Sequence, residues 1–270
     1  MFSQNFKMVD TYKKIKEIIG RDTSGRFQFI GNEIIASGLE PRTYKVDSPR
    51  RIDEHVSVSF HYDNDRELWL TANYDTFENY PSANNNGSAV VTLLGLAEKL
   101  QSAQLPTNVR LLFLDAGLDP TLAFKGRRDH NFTRGSELLL AYMFENEIEF
   151  IDSYEGAITI QAVGKGNLCV FEKTGKKEEN SKYLNDKILS YAKLVGVPAE
   201  VREKSPLADN LAFLKEGLDA TVLARYHEWS WHRKQTPKDD FTNVSPQTVD
   251  EPVEFICSFL QSYIPKENGR

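Results

Sequence analysis

The spacing of hydrophobic residues along the chain changes repeatedly between helical and strand-like patterns. Near the N-terminus, hydrophobic residues recur every three or four positions, which is typical of amphipathic helices. Later segments alternate or are continuously hydrophobic, which is typical of half-buried and fully buried strands. We expect helices at 9–20, 26–39, 88–100, 135–146, 183–196 and 252–264, and strands at 43–47, 55–62, 68–72, 109–116, 156–164, 168–172 and 220–225.

The alternation of strands with helices predicts an α/β fold with a mostly parallel or mixed sheet and helices on both faces. The chain has 270 residues, of which 40% are hydrophobic, and this is enough for one large core. We therefore expect a single domain over residues 1–270. Sheets of this kind place their sites at the carboxyl ends of the strands, so the chemistry is expected there.

Composition and charge limit the kinds of partner and site that the protein is expected to have. A net charge of -6 gives no support for a nucleic-acid or anionic membrane partner, and the only basic cluster, at 125–130, is expected to be a solvated loop. Cys169 and Cys257 lack the spacing of a disulfide framework or a thiolate zinc site. The N-terminus has no hydrophobic core of signal-peptide length, and no run approaches the roughly 20 residues of a membrane span. We expect a soluble cytoplasmic protein.

Polar residues follow the predicted strands in an ordered series of motifs. The stretch LTANYDTFENYPSANNNGS at 70–88 ends a strand at Asn73 and continues through Asp75 to three consecutive asparagines. Four further motifs follow in the order LDAGL (114–118), FTRGSELLLAYM (132–143), TIQAVG (159–164) and LADNLAF (207–213). This order resembles the di-zinc aminopeptidase family that also includes glutaminyl cyclase. The resemblance covers nearly the whole chain and implies a three-layer αβα fold of the zinc-exopeptidase type.

The functional residues of that family are mostly replaced in this chain. In the family, zinc is held by a His, a bridging Asp, a Glu, a second Asp and a final His, and a neighbouring Glu is the general base. The matching positions here are, in that order, Asn73, Asn85, Leu118, Gln161 and His232, with Gly117 at the general-base position. The final motif is interrupted, because three residues separate His232 from Thr236, and His227 is a rival for its place.

These replacements predict a cleft without metal. Catalytic zinc sites normally use at least three imidazole, thiolate or carboxylate ligands, and a neutral amide is a poor substitute. Asn85 and Gln161 keep roughly the side-chain shape and hydrogen-bonding capacity of the family's residues without the charge, which removes the repulsion between carboxylates that a missing metal would leave. We expect no cofactor, and a catalytically degenerate relative whose cleft binds a peptide end, a polar small molecule or a partner protein. The cleft residues are Asn73, Asp75, Asn85, Gly117, Leu118, Gln161 and His232.

Two alternatives remain open at the level of sequence. Asn84 to Asn86 followed by Gly87 is also typical of a simple turn. The second alternative is an active metal-dependent exopeptidase with a rearranged zinc site, for which the candidate ligands are Asp75, Asp115, Asp119 and His232.

Overall fold

The structure, a computed structural model, describes residues 11–47, 51–62, 64–76, 80–115, 133–175, 178–205, 208–228 and 236–266. The helices are α1 (Thr11–Ile18), α2 (Thr23–Ala36), α3 (Ala89–Leu100), α4 (Arg134–Asn146), α5 (Phe150–Ser153), α6 (Lys182–Leu194), α7 (Asn210–Lys215) and α8 (Glu251–Ser262). The strands are β1 (Arg42–Asp47), β2 (Ile52–Phe60), β3 (Glu67–Asn73), β4 (Asn108–Leu114), β5 (Tyr154–Gln161), β6 (Asn167–Thr174), β7 (Glu178–Glu179), β8 (Ala199–Ser205) and β9 (Ala220–Tyr226). A π-helical turn (Ala83–Ser88) precedes α3, and a 3-10 turn spans Phe241–Asn243.

The strands form one mixed sheet in the order β1-β2-β4-β3-β5-β9-β6, and β7 and β8 both pair with β6. The four central strands β4, β3, β5 and β9 are parallel to one another. On either side they are flanked by the antiparallel neighbours β2 and β6. The carboxyl ends of the four parallel strands therefore lie at one edge of the sheet, where the sequence places its motifs.

Helices cover both faces of the sheet. One hydrophobic core joins the sheet to α1, α2, α3, α6 and α8. A second core joins the opposite face to α4, α5 and α7, and Trp69 of β3 lies within it. The Trp69 ring contacts Phe150 and Phe213, and its Nε1 donates to Glu67 Oε2 at 2.7 Å. This three-layer α/β architecture confirms the fold class predicted from the sequence.

Each helix and strand expected from the sequence is present, with ends shifted by a few residues. The strand expected at 156–164 ends earlier, at Gln161, because Ala162 has a positive φ of 49° that interrupts the extended backbone. Strand β8 and helix α7 were not predicted. Strand β8 is rich in charged residues, and α7 is only six residues long, so neither carries a strong hydrophobic period. No helix within the described ranges is long and hydrophobic enough to cross a membrane.

Candidate functional site

Asn73 and Gln161 lie at the carboxyl ends of neighbouring parallel strands. In the β3–β5 pair, Thr71 is opposite Thr159, and their hydroxyl groups are 2.8 Å apart. Side chains two residues further along a strand point to the same face, so Asn73 and Gln161 share the face covered by α4 and α7. Gln161 Oε1 is buried and has no hydrogen-bond partner within the part of the chain that the structure describes. The structure thus brings these two predicted cleft residues together.

Both ends of the Asn73 side-chain amide are used by neighbouring protein groups. Its Nδ2 donates to Asp75 Oδ1 at 3.1 Å, and its Oδ1 accepts from Asn86 Nδ2 at 2.9 Å. Asn86 Oδ1 in turn accepts from the Ala162 backbone N–H at 3.0 Å. Because a backbone N–H can only donate, this bond determines the orientation of the Asn86 amide. Asn86 therefore ties the end of β3 to the residue that follows β5.

The Asn84–Asn86 turn is buried and held by the protein, in contrast to a solvated surface turn. Asn84 and Asn86 are each 1% exposed, whereas Asn85 is partly exposed, and the Asn85–Asn86 peptide bond is cis. Asn84 Oδ1 accepts from the Gly164 N–H at 2.8 Å and from Ser88 Oγ at 3.0 Å. A side chain at Gly87 would place its Cβ only 2.8 Å from the Ser82 carbonyl oxygen, so glycine is required there.

Asp239 anchors this turn, although the sequence did not single it out. Its carboxylate accepts from the backbone N–H groups of Asn84 at 3.0 Å and Asn85 at 2.9 Å, and from Asn243 Nδ2 at 2.7 Å. Burial raises the pKa of Asp239, and these hydrogen bonds oppose that rise by stabilising the ionised form. The sequence does contain a feature that could have identified Asp239, because this residue follows the Thr-Pro pair of the interrupted final motif.

Arg26 of α2 supplies a buried positive charge behind the same turn. Its side chain is fully buried, and Nη2 donates to the Pro81 carbonyl oxygen at 2.8 Å. Burial lowers the pKa of Arg26 to about 10, while the nearby Asp75 and Asp239 carboxylates oppose that change. The guanidinium therefore remains charged near neutral pH and offsets the charge of two carboxylates.

Asp115, one of the weaker metal candidates, forms an ion pair with Arg51, which also bonds Asp53. The backbone N–H of Asp115 donates to His55 Nδ1 at 3.2 Å. Burial, with a smaller contribution from Arg51, lowers the pKa of His55 to about 3, so the imidazole is neutral near pH 7. The charge of the Asp115 carboxylate is therefore balanced by Arg51 of the protein itself.

Asp209, in the LADNLAF motif, is a second buried carboxylate that was not among the predicted site residues. It is 2% exposed and precedes α7, and Ser136 Oγ at the start of α4 donates to its Oδ1 at 2.9 Å. Burial raises the pKa of Asp209 to about 7, with further contributions from Asp75 and Asp115. No ion pair among the described side chains involves Asp209. The sequence feature that could have identified Asp209 is an acidic residue immediately before a hydrophobic segment.

Several predicted residues lie outside the described residues, namely Gly117, Leu118, Asp119 and His232. The basic cluster at 125–130 lies outside them as well. The rival His227 follows β9, is partly exposed, and has no partner for Nδ1 in the described part of the chain. Cys169 and Cys257 are free thiols.

The side chains at the described positions that match the family's zinc ligands do not fit zinc. Asn73, Asn85 and Gln161 offer neutral amides, whereas zinc sites use imidazole, thiolate or carboxylate groups. Within the described ranges, no three His, Cys, Asp or Glu side chains form a group that could hold a metal ion. What the site offers instead is a hydrogen-bonded amide cluster beside buried carboxylates.

Comparisons with known proteins agree with the resemblance seen in the motifs. The sequence profile of peptidase family M28 matches residues 55–260. Comparison with curated proteins gives no significant sequence match.

Similar solved structures share the fold at low sequence identity. The glutaminyl cyclase of Porphyromonas gingivalis has a TM-score of 0.76 at 16% identity, over 96% of this chain and 99% of that one. A leucine aminopeptidase precursor of Bacteroides thetaiotaomicron has a TM-score of 0.74 at 17% identity, over 96% and 98%. The LapA aminopeptidase of Legionella pneumophila has a TM-score of 0.71 at 11% identity, over 93% and 70%. The profile match covers more than half of the sequence, so the chain belongs to peptidase family M28.

Proposed function

We propose that this chain is a metal-independent, non-catalytic member of family M28, and that its strand-end cleft binds the amino end of a peptide. The observation that carries the proposal is the use of both ends of the Asn73 amide by Asn86 and Asp75. In a zinc site the side chain at this position would direct a lone pair at the metal. Here the position is closed by hydrogen bonds within the protein.

The general-base position supports the absence of catalysis. Gly117 has no side chain that could take a proton from water. Without a metal, the pKa of water stays far above the value of about 7 that zinc-bound water reaches. Peptide hydrolysis and glutamine cyclisation are therefore both expected to be undetectable.

The choice of ligand rests on the polar groups around the cleft. Gln161 Oε1 and the Asp75 and Asp209 carboxylates are hydrogen-bond acceptors, and all three side chains are at least nine-tenths buried. An ammonium group carries a positive charge and three donors, which matches a group of acceptors. The aminopeptidases among the similar structures agree with a peptide amino end as the ligand.

The test combines metal analysis, enzyme assays and calorimetry on protein purified without chelator. We expect far less than one zinc per chain, no turnover, and binding of short peptides with free amino ends but not of the same peptides after N-acetylation. Asp209→Asn should weaken that binding by roughly tenfold, because a charge-assisted hydrogen bond is lost. Asp186→Asn, on the exposed side of α6, is the matched control and should bind normally.

Two outcomes would contradict the proposal in different ways. Stoichiometric zinc, together with chelator-sensitive turnover that His232→Ala abolishes, would support the rearranged metal site instead. Equal binding of free and acetylated peptides, or no binding of either, would show that the amino end of a peptide is not the ligand. In that case the zinc analysis alone would test whether the protein is metal-independent.

A further inference from the structure

Strand β8 forms one edge of the sheet. It pairs in parallel with β6, and no second strand in the described part of the chain pairs with it. The outer side of an edge strand presents N–H and C=O groups that can pair with another strand. The opposite edge differs, because the hydrophobic residues of β1, Tyr44 and Val46, are both buried. Strand β8 instead exposes a hydrophobic residue at its centre.

That residue is Val201, and the end of α6, the helix that packs against β8, also exposes hydrophobic side chains. Val201 is 49% exposed, and it pairs with Val170 of β6, so both side chains point to the face covered by α6. Leu194, the last residue of α6, is 78% exposed, and Val195 after it is 46% exposed. A second strand paired along β8 would cover the exposed Val201 side chain.

The charges of β8 are self-complementary in one register. Opposite residues of an antiparallel pair point to the same face, so a twofold pairing that continues the sheet must be centred on a residue. Centring the pair on Val201 places Val201 opposite its own copy, and Glu200 opposite Arg202 of the second chain, twice. Like charges would instead lie opposite each other if the pair were centred on any of the four charged residues of β8, namely Glu200, Arg202, Glu203 and Lys204.

Within one chain these two charged side chains already lie together. Arg202 Nη1 donates to Glu200 Oε1 at 2.8 Å, and the Arg202 guanidinium lies 3.4 Å from the centroid of the Tyr226 ring. The stacked ring limits the freedom of the guanidinium, so less conformational entropy is lost when a second carboxylate approaches it. A pair centred on Val201 would extend this contact into four alternating charges.

We propose that β8 is a self-association surface, which pairs antiparallel with β8 of a second copy about a twofold axis at Val201. One strand of 7 residues on each side is a small contact. Stable interfaces bury about 1,200 Å² or more, so the dimer is weak and depends on protein concentration.

Sedimentation velocity over a wide concentration range, at about 0.15 M salt where distant charges are screened, tests the proposal. We expect the wild type to form dimers as concentration rises. Glu200→Arg and Arg202→Glu should each weaken association roughly tenfold or more, because each places like charges opposite one another. An equimolar mixture of the two variants should form a heterodimer, and the double variant E200R/R202E should recover the homodimer.

Glu145→Arg, on the exposed side of α4, makes the same change in net charge as Glu200→Arg but away from the edge, and it should associate as the wild type does. Thermal melting of each variant identifies any loss of folding. The proposal is overturned if the wild type stays monomeric at all concentrations, if the single variants associate normally, or if the folded variants do not form the mixed dimer.

Discussion

Two groups of polar side chains meet at the carboxyl ends of β3 and β5, and they differ in how charge is handled. The amide cluster, Asn73 with Asn84 to Asn86, is neutral, and the bonds of Asn73, Asn84 and Asn86 run to other protein groups. The carboxylate group, Asp75, Asp115, Asp209 and Asp239, is almost fully buried. Three of these four carboxylates have an arginine close by, either Arg26 or Arg51.

The difference shows which buried charges this fold can tolerate. A buried carboxylate is stable when a cation or several donors stabilise its ionised form, and otherwise its pKa rises. Burial raises the pKa of both Asp239 and Asp209. At Asp239, two backbone N–H bonds and the nearby Arg26 oppose the rise, whereas the pKa of Asp209, which has Ser136 as its side-chain donor, reaches about 7. At positions 73 and 85 the side chains are neutral amides. Substitutions that remove charge near the carboxylates or add charge to the amide cluster test this explanation.

The largest effect is expected from removing the buried cation. Arg26→Met should lower the free energy of unfolding by about 3 to 5 kcal/mol at pH 7, because Asp75 and Asp239 lose their neighbouring positive charge. The Pro81 carbonyl oxygen also loses its donor. Urea denaturation measures the change, and Arg21→Met, an exposed arginine just before α2, is the control. A loss below about 1 kcal/mol would mean that the two carboxylates do not need Arg26.

A smaller, pH-dependent effect is expected from turning a carboxylate into an amide. The folded-state pKa of Asp209, about 7, is above its usual value of 3.8, so the folded protein binds this proton more tightly. The cost of ionisation is absent well below pH 3.8, grows as pH rises, and is complete above pH 7. Asp209→Asn should therefore leave stability nearly unchanged in acid and raise it at pH 8, by up to about 4 kcal/mol at 1.4 kcal/mol per pKa unit.

Urea denaturation at several pH values measures this difference. The control Asp186→Asn, which removes an exposed ion pair with Lys182, should change stability by less than about 1 kcal/mol throughout. A constant difference between Asp209→Asn and the wild type across the pH range would show that burial does not raise this pKa.

The smallest effect is expected from the reverse exchange in the amide cluster. Asn85→Asp places a carboxylate on a partly exposed residue whose N–H already bonds Asp239. Desolvation and the neighbouring charge should raise its folded pKa above about 3.9, so the variant loses stability as pH rises, by about 1.4 kcal/mol for each unit. Thermal melting with and without zinc measures both the loss and any rescue.

Zinc should not rescue Asn85→Asp alone, because Asn73, Leu118 and Gln161 still lack ligand groups. Stabilisation by zinc is expected only when Asn73→His, Leu118→Glu and Gln161→Asp are added. A stability difference near zero at every pH would indicate that position 85 is solvated, and zinc rescue of the single variant would reveal ligands elsewhere.

Local patterns in the sequence were sufficient for the fold class and for the position of the candidate site. The alternation of strand and helix periods predicted the central strands, and the ends of those strands located Asn73 and Gln161. The fold class is confirmed, and Asn73 and Gln161 do lie at strand ends, because side-chain periodicity and the edge rule for parallel sheets depend on short stretches of chain. Strand β8 was missed, because a charged edge strand buries little and carries only a weak period.

Only the tertiary structure decided how the polar groups of the site are paired. Asp239 bonds a turn 155 positions away in the chain, Arg26 reaches Pro81 across 55 positions, and Ser136 meets Asp209 across 73. Whether a buried carboxylate is stabilised depends on which cation or donor the fold brings within a few ångströms, and residue spacing does not encode that distance. The sequence by itself therefore determined that positions 73, 85 and 161 carry neutral amides, and the packing of α2, α4 and α7 against the sheet determined how the nearby carboxylates are paired.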